Sequence, residues 1–516
     1  MSRPVSPPPP HLPAALAGAV RADLAERFTR SEVEDVLGPV ATAALGRDEP
    51  VAARRATAAS PEPAAVLTRL FMLGVPVTRA ELDAALPRTT TAGATAVGLV
   101  TAAGEAGDDE VRATVDLRPY EASDAAGEAR WWVASDLGEL ATGASLHADH
   151  VLGIGGASLT LARITVRDRR PLVLDLGTGC GVQALHASRH ADAVVGTDVS
   201  RRALGFAAFN AALAGVALEL REGSLLEPVR GERFDLVVSN PPFVITPPAA
   251  HAAGLPVMEY RDGALPGDSL VRDLVAGVGA HLAPGGVAQL LGNWEHHAGE
   301  DWRERVSAWL AAAGTDGWVV QREVQDPAEY AHTWLRDGGL RPGTALFDAA
   351  LSAWLDDFAA RGVDGVGFGY LTLRRPADDA RAPWHRVEEV DAPVHRALGG
   401  HVAEVLAAQE WLATHDDTAL AGSRPVVAAD VTEERYLRPG EPDPLVLQLR
   451  QGAGFGRTVR PGTLVAGAVG ACDGELTLGQ IVGGLAVLLD QPADVVAAEV
   501  LPAVRDLLLD GFLRLP

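Results

Sequence analysis

The sequence predicts an α/β protein whose central part is a mostly parallel sheet, flanked by a smaller unit on each side. The main observation is that short apolar runs alternate with helical segments between residues 145 and 375, as parallel strands and crossover helices do. A second observation is length, since 516 residues are about three times a domain of roughly 150 residues. The apolar share of 47% and the charged share of 22% are those of a globular chain.

Composition and periodicity divide the chain into a tail, three domains and a linker. Consecutive prolines indicate a disordered tail, and helices followed by a β-ribbon predict a winged-helix-like N-terminal domain, with a helix-free break at 49–62. A helix, a turn at Pro492 and a second helix predict a winged-helix-like acidic C-terminal domain, with a helical packing cap as the alternative. The segments are a tail at 1–13, an N-terminal domain at 14–144, a central domain at 145–375, a linker at 376–399 and a C-terminal domain at 400–516.

Seven apolar runs of the central domain have the length and composition of buried strands. They are Leu172–Leu176, Ala193–Thr197, Ala217–Leu220, Phe234–Ser239, Val287–Leu291, Trp318–Gln321 and Val366–Leu373. Because ligands of such a sheet bind outside the carboxyl ends of the strands, the residues that follow these runs are the first to test for function.

Charge and cysteine content exclude several classes of function. The chain has 44 basic and 68 acidic residues, a net charge of −24, which counts against a general nucleic-acid binder. Two cysteines, Cys180 and Cys472, are too few for a disulfide framework or a four-ligand zinc site, and we expect no metal. Because we find neither an apolar run of about 18 residues nor a signal peptide, we expect a cytoplasmic protein without a membrane span.

A glycine loop follows the first strand. Asp175, Gly177, Gly179 and Gly181 form the pattern D-x-G-x-G-x-G and lead into a helix. Glycines let the backbone turn sharply and approach a ligand without Cβ clashes, and the helix start offers free N–H groups. Val182 stands where a dinucleotide fingerprint needs its third glycine, and a chain without lysine has no phosphate-binding P-loop.

The next two strands also end in polar side chains. Asp198 ends the second strand, where a carboxylate can accept hydrogen bonds from both hydroxyls of a ribose; the alternative is that it caps the helix beginning near Ser200. The third strand leads to Ser224 and Leu225. A serine hydroxyl can accept a hydrogen bond from an amino group, although more weakly than a carboxylate.

The fourth strand runs into Asn240, Pro241, Pro242 and Phe243. A planar nitrogen is a poor nucleophile because its lone pair is delocalised, so a catalyst has to accept its hydrogen bonds and aim it. The Asn240 side-chain oxygen and the Pro241 carbonyl are two acceptors, and consecutive prolines fix the direction of that carbonyl. Phe243 offers a flat face for a planar group, so the site can act by positioning.

Together these motifs resemble the class I S-adenosylmethionine (SAM)-dependent methyltransferases. The glycine loop resembles their motif I, and Asn-Pro-Pro-Phe resembles the amino-methylating branch that includes release-factor glutamine and rRNA guanine-N2 methyltransferases. The resemblance covers under half of the chain and implies a Rossmann-like, seven-stranded sheet with SAM as cofactor. It implies catalysis by Asn240, Pro241, Pro242 and Phe243, and cofactor binding by Asp175, Gly177, Thr178, Gly179, Gly181, Asp198, Ser224, Leu225 and Asn240.

The resemblance leaves the acceptor open between RNA and protein. We expect an amino nitrogen of a nucleobase in RNA, with rRNA first. The alternatives are a protein glutamine, favoured by the acidic composition and a turn at Gly263–Gly267, and a small molecule. A scaffold that binds SAM without turnover is the non-enzyme alternative. The sequence leaves the oligomeric state and the role of the flanking domains open.

Three weaker signals complete the prediction. His150–Gly156 is glycine-containing and is either a lid over the cofactor or an interdomain turn. Tyr330, His332 and Trp334 lie between the last two strands and are candidates for the substrate pocket. Glu295–His297 suggests a metal site, but the neighbouring tryptophans favour a packed helix.

Overall fold

The computed structural model describes residues 7–143, 146–263, 265–378, 381–391 and 397–515. They form two compact units. The first unit lies within Met1–Ala162, Arg169–Ala377 and Pro383–Glu389, and the second within Arg163–Asp168, Asp378–Ala382 and Val390–Pro516. The predicted boundary between residues 144 and 145 lies outside the described residues.

The N-terminal region is mainly helical and ends in a β-hairpin. Its elements are α1 (Ala14–Arg27), α2 (Arg30–Leu45), α3 (Pro50–Thr57), α4 (Pro63–Leu67) with a π-helical turn at Thr68–Met72, β1 (Val77–Thr78), α5 (Arg79–Ala85), α6 (Thr90–Val97), β2 (Val100–Ala102), β3 (Glu110–Ala113), β4 (Asp116–Asp124), β5 (Gly127–Ser135) and α7 (Glu139–Thr142). Capping boxes start α2 and α5, each made by a threonine and the glutamate three residues later. From α4 to β3, helices are followed by a small antiparallel sheet ordered β1-β3-β2, and the winged-helix-like assignment of this region stays a prediction.

Two predictions about this region are wrong. Residues 7–12 of the predicted tail are packed: Leu12 is buried, and the His11 N–H donates to the Val97 carbonyl at 2.9 Å. Residues 1–6 of that tail lie outside the described residues. The predicted break at 49–62 contains α3, because Pro50 stands at the first helical position, where its missing N–H costs nothing.

The central domain is a sheet with helices on both faces. Its elements are α8 (Gly156–Ile164), β6 (Arg170–Leu176), α9 (Val182–Ala187), β7 (Ala191–Asp198), α10 (Arg201–Ala214), β8 (Glu219–Glu222), β9 (Phe234–Ser239), α11 (Pro248–Ala252), α12 (Ser269–Val278), β10 (Leu282–His297), α13 (Trp302–Ala313), β11 (Asp316–Gln325), α14 (Pro327–Asp337), α15 (Ala345–Arg361), β12 (Val363–Arg374) and β13 (His385–Glu389). The seven predicted strands are confirmed. The sheet order is β13-β11-β12-β10-β9-β6-β7-β8, and β12 is antiparallel to both of its neighbours.

An eighth strand, β13, lies inside the segment predicted as a linker. The linker prediction is therefore wrong for residues 385–389. It pairs parallel with β11 at the edge of the sheet. Four of its five residues are His, Arg or Glu, and such a polar edge strand lacks the apolar pattern from which strands are predicted. Residues 379–380 and 392–396 of the predicted linker lie outside the described residues.

The topology determines where a ligand can bind. From β6 the chain proceeds outward to β7 and β8, and then returns to the other side of β6 as β9. The crevice at this reversal, outside the carboxyl ends of β6 and β9, is where open α/β sheets bind ligands. The glycine loop follows β6, and the Asn-Pro-Pro-Phe segment follows β9, so the fold brings both predicted motifs to this crevice.

The N-terminal region and the sheet share a hydrophobic core. Buried residues of α9 and α10, such as Leu185, Phe206 and Phe209, belong to the same apolar cluster as Leu24 of α1 and Leu117 of β4. Because these helices bury apolar faces against the N-terminal region, residues 14–143 and the central sheet form one unit rather than two independent domains.

The second unit contains an antiparallel sheet followed by three helices. Its elements are α16 (Gly399–Thr414), α17 (Asp417–Gly422), β14 (Val426–Val427), β15 (Val431–Leu437), β16 (Pro444–Gln451), β17 (Thr458–Val459), α18 (Thr463–Gly470), α19 (Leu478–Leu488), α20 (Ala493–Leu509) and β18 (Leu513–Arg514). The predicted helix pair is present as α19 and α20, but the sheet β15-β16-β17 precedes it and was not predicted. In the part of the chain that the structure describes, no helix combines the length and the apolarity of a membrane span.

Candidate functional site

The glycine loop forms an open cradle at the end of β6. Gly177, Gly179 and Gly181 have φ angles of 72°, 56° and 85°, which favour glycine. A Cβ atom at Gly177 or Gly179 would meet no atom within 4 Å, whereas one at Gly181 would lie 3.1 Å from the Cα of Ala207 in α10. The first two glycines therefore face free space, and the third allows close packing of a helix.

Asp175 fixes the shape of this loop from inside. Its Oδ2 accepts hydrogen bonds from the Thr178 hydroxyl at 2.6 Å and from the Ala184 N–H at 2.9 Å. Burial of the carboxyl raises the pKa of Asp175 to about 7. Both side chains are at most 5% exposed, so Asp175 and Thr178 shape the loop from inside, and their part in cofactor binding stays a prediction.

Asp198 lies beside the loop, at the end of β7. Its Oδ2 accepts from the Gly179 N–H and its Oδ1 from the Ser200 N–H, both at 2.9 Å. Ser200 itself caps α10, because its hydroxyl accepts from the Ala203 N–H. Burial raises the pKa of Asp198 above that of an ordinary carboxyl group. The half-buried carboxylate has lone pairs left for further hydrogen bonds, and its contact with a cofactor stays a prediction.

The end of β8 meets Asp198 through the backbone. The Gly223 N–H donates to the Asp198 carbonyl at 3.0 Å, which places Ser224 and Leu225 at the same edge of the sheet. Ser224 is exposed, and Leu225 has a positive φ of 44°. Contact of these two residues with a cofactor stays a prediction.

The Asn-Pro-Pro-Phe segment leaves β9 with an unused acceptor. The Asn240 Oδ1 is shielded from solvent and has no hydrogen-bond partner among the described residues. Pro241 is buried, and a Cβ at Gly263 would lie 2.7 Å from the Pro242 carbonyl. The glycine of the predicted turn thus allows the neighbouring chain to pack flat against this segment; Ala264 of the same turn lies outside the described residues.

Phe243 is one wall of a cavity of about 320 Å³. Its ring centroid lies 6.4 Å from that of Trp334 and 6.5 Å from that of Phe368, both edge to face. The other lining residues are Ala157, Thr160, Leu291, Gly292, Arg322, Glu323, Gln325, Thr333, Gly369 and Tyr370. An aromatic cavity with a few polar groups suits a small planar group attached to a larger molecule.

Of the three pocket candidates, only Trp334 lines the cavity. Tyr330 is fully buried below it, and its hydroxyl accepts from the Ile245 N–H and the Asn293 Nδ2, each at 2.9 Å. His332 faces Phe347 instead, with ring centroids 5.5 Å apart. Tyr330 therefore positions the chain just after Phe243.

The predicted lid runs beside the site. The Val151 N–H donates to Asp136 at 2.9 Å, and α8 begins at Gly156. Ala157 and Thr160 of α8 line the cavity, so the segment at 150–156 brings a helix to the pocket wall. Closure of this segment over a cofactor stays a prediction.

Glu295–His297 lies on strand β10, so the predicted packed helix is wrong. Glu295 pairs with Arg361, and the His296 Nε2 lies 2.8 Å from the Gln321 Oε1. Among the described residues, no cluster of His, Cys, Asp and Glu has the geometry of a metal site.

A buried Arg–Asp pair beside the site left no clear pattern in the sequence. Arg261 donates to the Trp334 carbonyl at 2.7 Å and lies 3.3 Å from Asp262, whose Oδ1 accepts from the Thr246 hydroxyl at 2.7 Å. Both charged residues are at most 9% exposed. The only signal in the sequence is two adjacent charges before a glycine turn, which a solvated loop shares.

Parts of the chain match known families. Residues 149–254 match the family described as Methyltransferase small domain, and residues 25–114 match a domain of unknown function, DUF7059. A release factor glutamine methyltransferase of Xylella fastidiosa is 42% identical over 135 residues, which are 24% of this chain and 48% of the relative. A ribosomal protein uL3 glutamine methyltransferase of Bradyrhizobium diazoefficiens is 32% identical over 192 residues, 34% of this chain and 57% of the relative.

The chain spans about half the length of the first of these relatives. Among solved structures, the 16S rRNA N2 methyltransferase of T. thermophilus in complex with AdoMet and guanosine matches 58% of this chain and 64% of its own. That match has 16% sequence identity and a TM-score of 0.27.

Proposed function

We propose that this chain, whose central domain belongs to the class I SAM-dependent methyltransferases of the Asn-Pro-Pro-Phe/Tyr branch, methylates the side-chain amide nitrogen of a glutamine in a protein. The observation that carries the proposal is the Asn240 Oδ1, a shielded acceptor without a partner among the described residues. Leaving a buried acceptor unpaired costs about 1–3 kcal/mol, so a substrate N–H that satisfies it gains binding energy.

The residues at the crevice fit SAM. Two glycines of the loop face free space, as a cradle for a ligand requires, and Asp198 beside them can accept hydrogen bonds from ribose hydroxyls. When bound, SAM supplies an electrophilic methyl group on a sulfonium. The positive φ angles of the loop and its anchoring by Asp175 keep the cradle open before the cofactor arrives.

The Asn-Pro-Pro-Phe segment positions the acceptor. The Asn240 Oδ1 and the Pro241 carbonyl accept the two hydrogens of an NH₂ group, which turns the nitrogen lone pair towards the methyl group. Both acceptors also stabilise the positive charge that develops on nitrogen as the new N–C bond forms and the sulfur–carbon bond breaks. One N–H proton then leaves to solvent, so the product is a neutral secondary amide.

A protein glutamine now stands ahead of the RNA nucleobase that the sequence analysis placed first. The two curated relatives described above are named glutamine methyltransferases, of a release factor and of a ribosomal protein. The net charge of −24 would repel the phosphates of a nucleic-acid substrate and so disfavours RNA. In the arginine-rich stretch before β6, Arg169 is paired with Asp192 at 2.6 Å.

The test uses labelled SAM and an extract from cells that lack this gene. Purified protein is added, and portions are then treated with protease or with nuclease before the macromolecular label is counted. We expect the label to be lost to protease alone, with mass spectrometry placing one methyl group on a glutamine. Loss of the label to nuclease alone would overturn the proposal that the substrate is a protein. Absence of label despite SAM binding would support the alternative of a scaffold without turnover. Asn240→Ala is the matched inactive control.

A further inference from the structure

Three side chains from three elements fix the backbone of the glycine loop. Asp175 of β6 accepts hydrogen bonds from Thr178 in the loop and from Ala184 just after it. Asp198 of β7 accepts from the Gly179 N–H. The third is Asn210 of α10, whose Nδ2 donates to the Cys180 carbonyl at 2.8 Å. Each of the three elements thus sets one part of the cradle that faces the cofactor.

Asn210 differs from the other two because it also grips the N-terminal region. Its Oδ1 accepts from the Ala134 N–H at 2.8 Å, and its Nδ2 donates to the Ala134 carbonyl at 2.9 Å. Ala134 belongs to strand β5 of the N-terminal hairpin, and both residues are fully buried. One amide group therefore joins the hairpin to the glycine loop through three hydrogen bonds.

The end of the same hairpin holds a second part of the site. Asp136, directly after β5, forms an ion pair with Arg202 of α10, and the two side chains are 11% and 10% exposed. The Asp136 carboxylate also accepts from the Val151 N–H at 2.9 Å, in the segment that leads to the pocket helix α8. The end of the hairpin is thus joined to α10 at two points, Arg202 and Asn210.

We propose that the N-terminal hairpin is part of the cofactor site and sets the affinity for SAM, with Asn210 as the positioning residue that transmits it. The inference rests on the proposed function only in requiring that the loop binds SAM. Because the loop must keep its conformation to bind, the hydrogen bonds that Asn210 makes to both the hairpin and the loop lower the cost of binding. By linkage, bound SAM must in turn stabilise the contact between β5 and α10.

The test compares isosteric variants of the full chain by calorimetry with SAM. Asn210→Asp keeps the acceptor for the Ala134 N–H, but puts an oxygen in place of the donor that faces two carbonyl oxygens. We expect the Kd for SAM to rise about ten-fold or more, since a hydrogen bond to the loop is replaced by repulsion. The loss should appear mainly in the KM for SAM and much less in the kcat at saturating SAM, since Asn210 touches no reacting atom.

Asp23→Asn is the matched control. Asp23 is fully buried in α1, accepts from the Thr89 N–H at 2.7 Å and pairs with Arg88 at 3.2 Å. The substitution removes the charge of this ion pair and replaces one acceptor oxygen by a donor, so it loosens the N-terminal region without touching the loop. We expect lower thermal stability and unchanged SAM affinity. An equal loss of affinity in both variants, or an unchanged Kd in Asn210→Asp, would overturn the proposal.

A second measurement needs no variant. In the wild type, saturating SAM should slow hydrogen exchange at the Ala134 amide as well as at Gly179. Slowing at Gly179 alone would overturn the inference even if Asn210→Asp failed to fold. A wild type that binds no SAM at all would instead overturn the proposed function, so the two failures are distinguishable.

Discussion

Tyr330→Phe tests how the segment after Phe243 is held. The substitution removes one hydroxyl from a fully buried ring and leaves two donors, the Ile245 N–H and the Asn293 Nδ2, without their 2.9 Å acceptor. Each buried unpaired donor costs about 1–3 kcal/mol, so we expect a loss of about 2–6 kcal/mol in the free energy of unfolding. That is a large part of the roughly 5–15 kcal/mol that stabilises a domain.

Urea denaturation followed by tryptophan fluorescence measures this loss, because Trp334 and Trp354 lie against Tyr330 with ring centroids 6.1 Å and 6.3 Å away. The kcat should fall as well, because Ile245 fixes the chain that carries Phe243. Tyr436→Phe is the matched control, because Tyr436 is 51% exposed and its hydroxyl donates to Glu434, which is partly exposed to solvent on the same strand. A Tyr330→Phe midpoint equal to that of this control would refute the reasoning.

The remaining predictions concern the cradle. Asp198→Ala should raise the Kd for SAM roughly 100-fold, since the two hydrogen bonds from the ribose hydroxyls to a charged group are lost. Calorimetry measures this Kd, and an unchanged value would contradict the prediction. Asp175 is more basic in the folded chain, with a pKa of about 7, than when unfolded, so the stability it contributes is full at low pH and lost as pH rises through 7. In Asp175→Asn, the urea midpoint should therefore change less with pH between roughly pH 4 and pH 8 than it does in the wild type. An equal pH dependence of the midpoint in both proteins would contradict the assignment. Gly181 has a positive φ, and a Cβ atom there would lie 3.1 Å from α10, whereas Gly231 has a φ of 84° and free space around it. Gly181→Ala should therefore lower the melting temperature more than the control Gly231→Ala does. Equal melting temperatures of the two variants would refute this.

Sequence patterns predicted the sheet and its two motifs because each strand is apolar and each motif follows directly after one. Asp175, Asp198 and Asn240 could be proposed as site residues because their spacing from a buried strand is local in the chain. The strand β13 and the helix α3 were missed because their composition is polar or proline-containing, and tertiary packing decides their state.

The roles of buried connecting residues could not be predicted from local spacing. Asn210 and Ala134 are 76 residues apart, and their hydrogen bonds exist only because the hairpin packs on α10. Tyr330 was predicted to line the pocket, but its hydroxyl instead accepts a hydrogen bond from the N–H of Ile245, a residue 85 positions away in the chain. Such contacts follow from the fold and leave no pattern in the sequence.

The central claim is that Asn240 orients the nitrogen that receives the methyl group. The most direct measurement is single-turnover methyl transfer by Asn240→Ala at saturating SAM, on the protein substrate identified with the wild type. We expect the rate to fall by roughly 10²–10³, as for other preorganised hydrogen-bond partners of a transition state, while calorimetry shows SAM still bound. A rate equal to that of the wild type would contradict the account.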